Sequence, residues 1–316
     1  MKIVFFGTSS FAARVLSQLV RQGYEIVAVV TRPDRSKGRH LHPQPPPVKE
    51  IALQLAPALP FFQPEKASTP EFASILHSLT AELFIVVAYG EIIKKNLLEM
   101  PKLGCINIHA SLLPKYRGAA PIQRCLMAGE KETGISIIEM SPQMDAGDVL
   151  AMESLPIPNE MTFGELEPKL CDLSVKLLLE VMRKLEDGAA IRTPQDHAQA
   201  TFAPKLTPQE EIIDWKKPAA TIHDQIRALS PSPGAWCQIK IGFEVRRLKI
   251  KKSVVVEYHV NEPGSFVSFG KEGWIVACGK DALRLIEVQL EGKKAMPAEE
   301  CIRGIHHPVS MLSVSK

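Results

Sequence analysis

The chain has 316 residues, 45% of them apolar and 23% charged, and a formal charge of +3. That length exceeds what one ordinary core spans, so two domains are expected, and the composition excludes wholesale disorder. So small a charge excess does not mark a nucleic-acid partner by itself, and no apolar run approaches the roughly 18 residues of a membrane span.

The opening apolar run meets Gly7-Thr8-Ser9 at once, with no cleavage site, so it reads as a first buried strand and not as a targeting peptide. Strands are expected at residues 2–6, 25–30, 83–88, 105–108, 134–140 and 148–153, with helical periodicity at 11–21, 48–55, 70–79 and 121–127. Such alternation predicts an α/β domain with a Rossmann-like, mostly parallel sheet. A longer helix over 163–185 stops at Asp187-Gly188, which puts the end of the first domain at residue 189.

Residues 190–208, holding Pro194, Pro204 and Pro208, read as an extended linker. Within 209–316 one short helix, 219–229, precedes strand-like runs at 235–239, 244–250, 253–259, 264–269, 274–278 and 283–288. Short strands so closely spaced predict a small antiparallel β-barrel of the OB type. This last third holds 16 Lys+Arg against 13 Asp+Glu, while the residues before it hold 22 of each, so the whole positive excess lies there.

The six cysteines form no C-x-x-C pair, and no histidine stands at metal-ligand spacing from them. Reduced, buried thiols in the cytoplasm are therefore expected, with neither a zinc site nor a disulfide framework. The first turn, Gly7-Thr-Ser-Ser-Phe-Ala12, lacks the later glycines of a dinucleotide-binding loop. A doubly wound sheet still places its site beyond the carboxyl ends of its strands, so polar residues there carry the most information.

Asn107 and His109 stand two apart in an expected strand, and extended backbone projects both to one face. A satisfied polar pair bonded to a neighbouring loop is the plain alternative. Asp145, in the turn Ser-Pro-Gln-Met-Asp-Ala-Gly147, is an acid that could orient or charge the histidine, or merely cap a turn.

Asn107-x-His109, the run Ser111-Leu-Leu-Pro-x-Tyr-Arg-Gly-Ala-Ala-Pro121 and Asp145-x-Gly-Asp148 together resemble the formyl-tetrahydrofolate-dependent formyltransferases. Arg32-Pro-Asp-Arg-x-x-Gly-Arg39, Val86-Val-Ala-Tyr-Gly90, Leu103-Gly-Cys-Ile-Asn107, Ile213-Asp-Trp215 and Gly292-Lys-Lys-Ala-Met296 narrow the likeness to the methionyl-tRNA formyltransferase family over nearly the whole chain. The resemblance implies Asn107, His109 and Asp145 as the catalytic residues. It implies Ser111, Leu112, Leu113 and Pro114, with Tyr89 and Gly90, as a folate site. The formyl donor would be 10-formyl-tetrahydrofolate, no metal would take part, and the acceptor would be initiator methionyl-tRNA, formylated by a cytoplasmic monomer.

Residues 31–47, rich in Arg and Lys, are otherwise a solvated loop, but by resemblance they reach the tRNA acceptor end through Arg39. The chain departs from the pattern at His40-Leu41-His42, where the family commonly carries further lysine. Arg247, Lys249 and Lys251 alternate with Leu248 and Ile250, so three cations are expected on one strand face, for phosphates or simply for solvent. Lys205 also matches a family position and joins them as a tRNA contact. A sugar-amine formyltransferase shares the Asn-x-His, Ser-Leu-Leu-Pro and Asp signatures, but the Arg-Pro-Asp-Arg loop argues against it. The chain is too long for a glycinamide ribonucleotide formyltransferase. An RNA-binding protein with a degenerate catalytic domain is a further alternative, against which the intact trio weighs.

Overall fold

The computed structural model describes the chain apart from residues 37–42, 260–261, 271–272, 306–308 and 313–316. The chain divides into two compact units: Met1–Pro121, Glu132–Leu155 and Glu167–Pro204 form the first, and Ile122–Lys131, Pro156–Leu166 and Lys205–Lys316 the second.

The first unit is built on a seven-stranded sheet in the order Val149–Pro156, Glu132–Glu139, Cys105–His109, Leu83–Val87, Lys2–Gly7, Glu25–Val30 and Phe61–Phe62. Pairing is parallel from Cys105–His109 through Phe61–Phe62. Glu132–Glu139 runs antiparallel beside Cys105–His109, with Asn107 opposite Ile138 and His109 opposite Ser136. Leu83–Val87 is buried at every position, as a strand covered on both faces must be, whereas Val149–Pro156 at the edge has exposed residues in alternation.

Helix Ser10–Arg21 begins where the Ser9 side chain accepts from the Ala12 N–H, and it buries Phe11, Ala12, Val15, Leu16 and Leu19 on one face. Thr69 caps Pro70–Ser78 in the same way, with proline at the first turn where no N–H is missed.

The second unit holds helix Ala219–Leu229 and an antiparallel, barrel-like sheet in the order Phe266–Gly270, Gly273–Ala277, Ala282–Leu290, Glu244–Val256, Ala235–Ile241 and Val309–Leu312. Its core gathers Trp215, Ile222, Ile226, Leu248, Ile250, Trp274, Leu283 and Leu285. The two strands expected over 244–259 are one strand, Glu244–Val256, whose register shifts around Lys252. Helix Ala298–Arg303 and strand Val309–Leu312 were not expected from the sequence.

All six cysteines are free and buried, and burial pushes the thiols of Cys237 and Cys278 up to about 12, which leaves them unreactive at neutral pH. Among the described residues no helix is long and apolar enough to cross a membrane, and no three His, Cys, Asp or Glu side chains gather as a metal set.

Candidate functional site

Strand Cys105–His109 lies inside the sheet, and its two polar side chains occupy alternate positions at its carboxyl end. Asp145 meets them from the loop that follows Glu132–Glu139. Asn107 Nδ2 donates to Asp145 Oδ1 at 3.3 Å, and His109 Nδ1 is 3.7 Å from Asp145 Oδ2. The Gly118 N–H donates to that same Oδ2 at 2.8 Å. His109 and Asp145 keep only 5% and 14% of their side chains exposed, so the charge acts with little screening. Asp145 holds a left-handed φ of 50°, which asparagine and aspartate tolerate better than most residues.

The imidazole is aimed from its other side. His109 Nε2 lies 2.9 Å from the Tyr116 carbonyl, which can only accept, so Nε2 carries a proton. Nδ1 is turned toward the Asp145 carboxylate, 3.7 Å from Oδ2. The site thus presents His109 Nδ1 and the second N–H of the Asn107 amide.

The turn after His109 is folded by its own polar groups. Ser111 Oγ donates to the Lys115 carbonyl at 2.7 Å, and Ser136 Oγ donates to the Ser111 carbonyl while accepting from the Leu113 N–H. Arg117–Gly118 then pairs in parallel with Phe202–Ala203. Gly118, at φ 126°, approaches so closely that a Cβ there would lie 2.7 Å from the Ala203 carbonyl oxygen.

Residues 190–204 are therefore not the free connector expected. Thr193 exchanges backbone bonds with Val149, and Gln195 is buried. Gln195 Nε2 donates to the carbonyls of Asp145 and Gly147 at 2.9 and 2.7 Å, and its Oε1 accepts from Arg117 Nη2 at 2.7 Å. Sequence reasoning missed Gln195, because its partners lie some 50 positions away and nothing local marks it. Arg117 was visible inside the Tyr-Arg-Gly motif but had no assigned part.

The folate candidates divide into two groups. Ser111 and Leu113 are buried, and the Ser111 hydroxyl is committed to its own turn. The Tyr89 ring is core, edge-on to Phe6 at 5.5 Å, its buried hydroxyl has no hydrogen-bond partner among the described residues, and burial drives the phenol far above its ordinary value. Half-buried Leu112 and Pro114 and exposed Gly90, at φ 84°, remain to line a ligand surface. The Ser111 hydroxyl is thus taken up by its own turn and the Tyr89 ring by the core.

Of the expected basic stripe, two cations are bonded to backbone carbonyls. Lys249 Nζ donates to the Pro233 carbonyl and Lys251 Nζ to the Pro231 carbonyl, each at 2.6 Å. Lys251 lies beneath the Pro231–Pro233 turn at 8% exposure, and desolvation holds its pKa below the usual lysine value. Arg247 stays exposed, its guanidinium 4.0 Å from the Trp236 ring centroid, and Lys205 is exposed. Arg39 lies outside the described residues. Nearby Arg32 pairs with Glu91, and Lys49 with Asp34.

The model of the formyl transferase family matches residues 1–182, and that of the formyl transferase C-terminal domain matches 205–306. The methionyl-tRNA formyltransferase of Protochlamydia amoebophila is 50% identical over 305 residues, covering 96% of this chain and 95% of that protein. Among solved structures, HypX from Aquifex aeolicus in complex with tetrahydrofolic acid superposes with a TM-score of 0.63 at 17% identity, covering 96% of this chain but only 47% of that one. The N-formyltransferase from Helicobacter canadensis, in complex with folinic acid and dTDP-3-aminofucose, gives a TM-score of 0.65 at 19% identity, covering 90% of this chain and 99% of that one. At such identities the two structures establish the fold alone, while the sequence match is closer, and by it the chain belongs to the methionyl-tRNA formyltransferase family of formyl transferases.

Proposed function

We propose that the protein transfers the formyl group of 10-formyl-tetrahydrofolate to the amino group of the methionyl moiety of initiator methionyl-tRNA. The observation that carries this reading is the convergence of Asn107 and His109 on Asp145 at a strand end, in a chain half identical to an enzyme of that name.

The amine attacks the formyl carbon, and the carbonyl oxygen becomes an oxyanion. Asn107 Nδ2 and His109 Nδ1 supply N–H donors to that oxygen, fixed in advance by the Tyr116 carbonyl and Asp145. Asp145 keeps the imidazole and the Asn107 amide in place as negative charge builds on the substrate. The new ammonium must lose a proton and the folate nitrogen must gain one before it leaves, and the carboxylate is placed to pass it, directly or through water.

The folate donor is held against Leu112, Pro114 and the exposed backbone at Gly90. Strands Leu83–Val87 and Cys105–His109 are parallel neighbours, so the loops after them share one end of the sheet. An apolar wall with nearby backbone groups suits a flat heteroaromatic ring. Arg39 and Arg247 with Lys205 are the proposed tRNA contacts. Lys249 and Lys251 act there only as supports. All groups of the site come from one chain, which suits a monomer, and six reduced thiols suit the cytoplasm.

The test is transfer of labelled formyl from 10-formyl-tetrahydrofolate with methionyl-tRNA, free methionine and an amino-sugar nucleotide offered together. Label on the tRNA alone is expected. Label on the sugar would keep the chemistry and overturn the acceptor.

A further inference from the structure

Arg117 is a cation that is 3% exposed, and among the described residues no carboxylate pairs with it. A buried charge without a counter-ion costs several kcal/mol unless its donors are well used. They are used on two residues of the segment before Phe202–Ala203. Arg117 Nε and Nη2 both donate to Gln195 Oε1, at 3.2 and 2.7 Å, and Nη2 also lies 2.9 Å from His197 Nδ1. Because a guanidinium only donates, His197 Nδ1 accepts and the ring's proton stands on Nε2.

The polarity of this chain of bonds has one direction. Arg117 holds the Gln195 amide by its oxygen, which fixes the NH2 group toward the Asp145 loop. Nε2 then donates to the carbonyls of Asp145 and Gly147. Asp145 itself makes the left-handed step of that backbone. The cycle closes through the neighbours of Arg117: Tyr116 aims His109 by its carbonyl, and Gly118 binds the Asp145 carboxylate by its N–H. One tripeptide, Tyr116-Arg117-Gly118, therefore fixes the histidine, the carboxylate and, through Gln195, the backbone that carries the carboxylate.

We infer that Gln195, oriented by Arg117, is a positioning residue for formyl transfer, setting where Asp145 stands relative to Asn107 and His109. The inference rests on the proposed catalytic part of Asp145. Gln195 reaches no substrate, so its loss displaces the carboxylate without removing any binding contact. A misplacement of about 1 Å costs on the order of 100-fold in rate.

Two variants separate positioning from mere satisfaction of the buried charge. Gln195→Leu keeps the volume and loses every bond. Gln195→Glu gives Arg117 a carboxylate partner but sets an acceptor against the carbonyls of Asp145 and Gly147. Both are expected to lower kcat for formylation of methionyl-tRNA roughly 10- to 100-fold while KM for tRNA and for 10-formyl-tetrahydrofolate stays within about threefold. Thermal denaturation of Gln195→Glu is expected near that of wild type. On an Asp145→Asn background, Gln195→Leu should cost nothing further, since the group it places is already gone.

Wild-type kcat in Gln195→Glu, or a full and independent loss on the Asp145→Asn background, would overturn the inference and leave the proposed reaction standing. A wild-type enzyme that forms no formylmethionyl-tRNA, or an Asp145→Asn enzyme of full activity, would instead remove the reading beneath it.

Discussion

At the scale of single residues, the site depends on one carboxylate that takes three contacts at once. Asp145 accepts from Asn107 and Gly118 and faces His109, and its own backbone is turned left-handed to do so. The loop that presents it is closed at its base, where the Glu139 N–H donates to the Asp148 carbonyl at 2.9 Å. Gly147 fits against that base so tightly that an added Cβ would meet the Glu139 carbonyl oxygen at 1.8 Å. Backbone on both sides of such a contact cannot yield without moving the loop. Gly147→Ala should therefore lower kcat by on the order of 100-fold through displacement of Asp145, and should lower stability by about 1–3 kcal/mol through overpacking. Steady-state formylation and urea denaturation check this, and an alanine enzyme of full activity would show that the loop position is not critical.

At the scale of elements, helix Pro121–Met127 and the turn Pro208–Glu211 are tied within the second unit by Arg124 and Glu210. The Arg124 guanidinium, with help from the Thr207 N–H and hydroxyl, brings the Glu210 carboxyl down to about 2. A carboxyl lowered by folding stabilises the folded state fully above its unfolded value of about 4.3 and loses that contribution as pH falls through its folded value. Because a third of the Glu210 side chain is exposed, solvent screening holds the gain to about 1 kcal/mol. Glu210→Gln should thus destabilise by about that amount at pH 7, with the difference shrinking between about pH 4 and pH 2 as the wild-type carboxyl protonates. Urea unfolding across that range is the check, and a difference constant with pH would contradict it.

Most elements were legible in the sequence because their signals are local. Fully apolar runs such as Leu83–Val87 and the capped periodicity of Ser10–Arg21 need no distant information. The pair Asn107 and His109 was legible for the same reason, since a strand's period of two decides it. The antiparallel placement of Glu132–Glu139 was not, nor was strand Val309–Leu312, because direction and pairing depend on partners far along the chain. Gln195 was hidden by its surroundings, for prolines and small polar residues look alike in a free linker and in an extended segment packed against a site. Lys251 misled because alternation says nothing of what covers a face, and the Pro231–Pro233 turn takes up both its ammonium and that of Lys249.

At the scale of the whole molecule, each unit carries one part of the proposed work. The first unit holds every group of the site, while the positive excess of the sequence lies in the last third of the chain. Family models match both parts, and a relative half identical to the chain spans nearly its full length. The central claim is that Asn107, His109 and Asp145 together stabilise the tetrahedral centre of formyl transfer. Its most direct test is a single-turnover measurement with wild type, Asn107→Ala, His109→Ala and Asp145→Asn, each saturated with 10-formyl-tetrahydrofolate and methionyl-tRNA. Each variant should transfer formyl roughly 100- to 1,000-fold more slowly, as when one oxyanion donor is removed, with both substrates bound as in wild type. An unchanged rate in His109→Ala, or a loss that appears only as weaker binding, would contradict it.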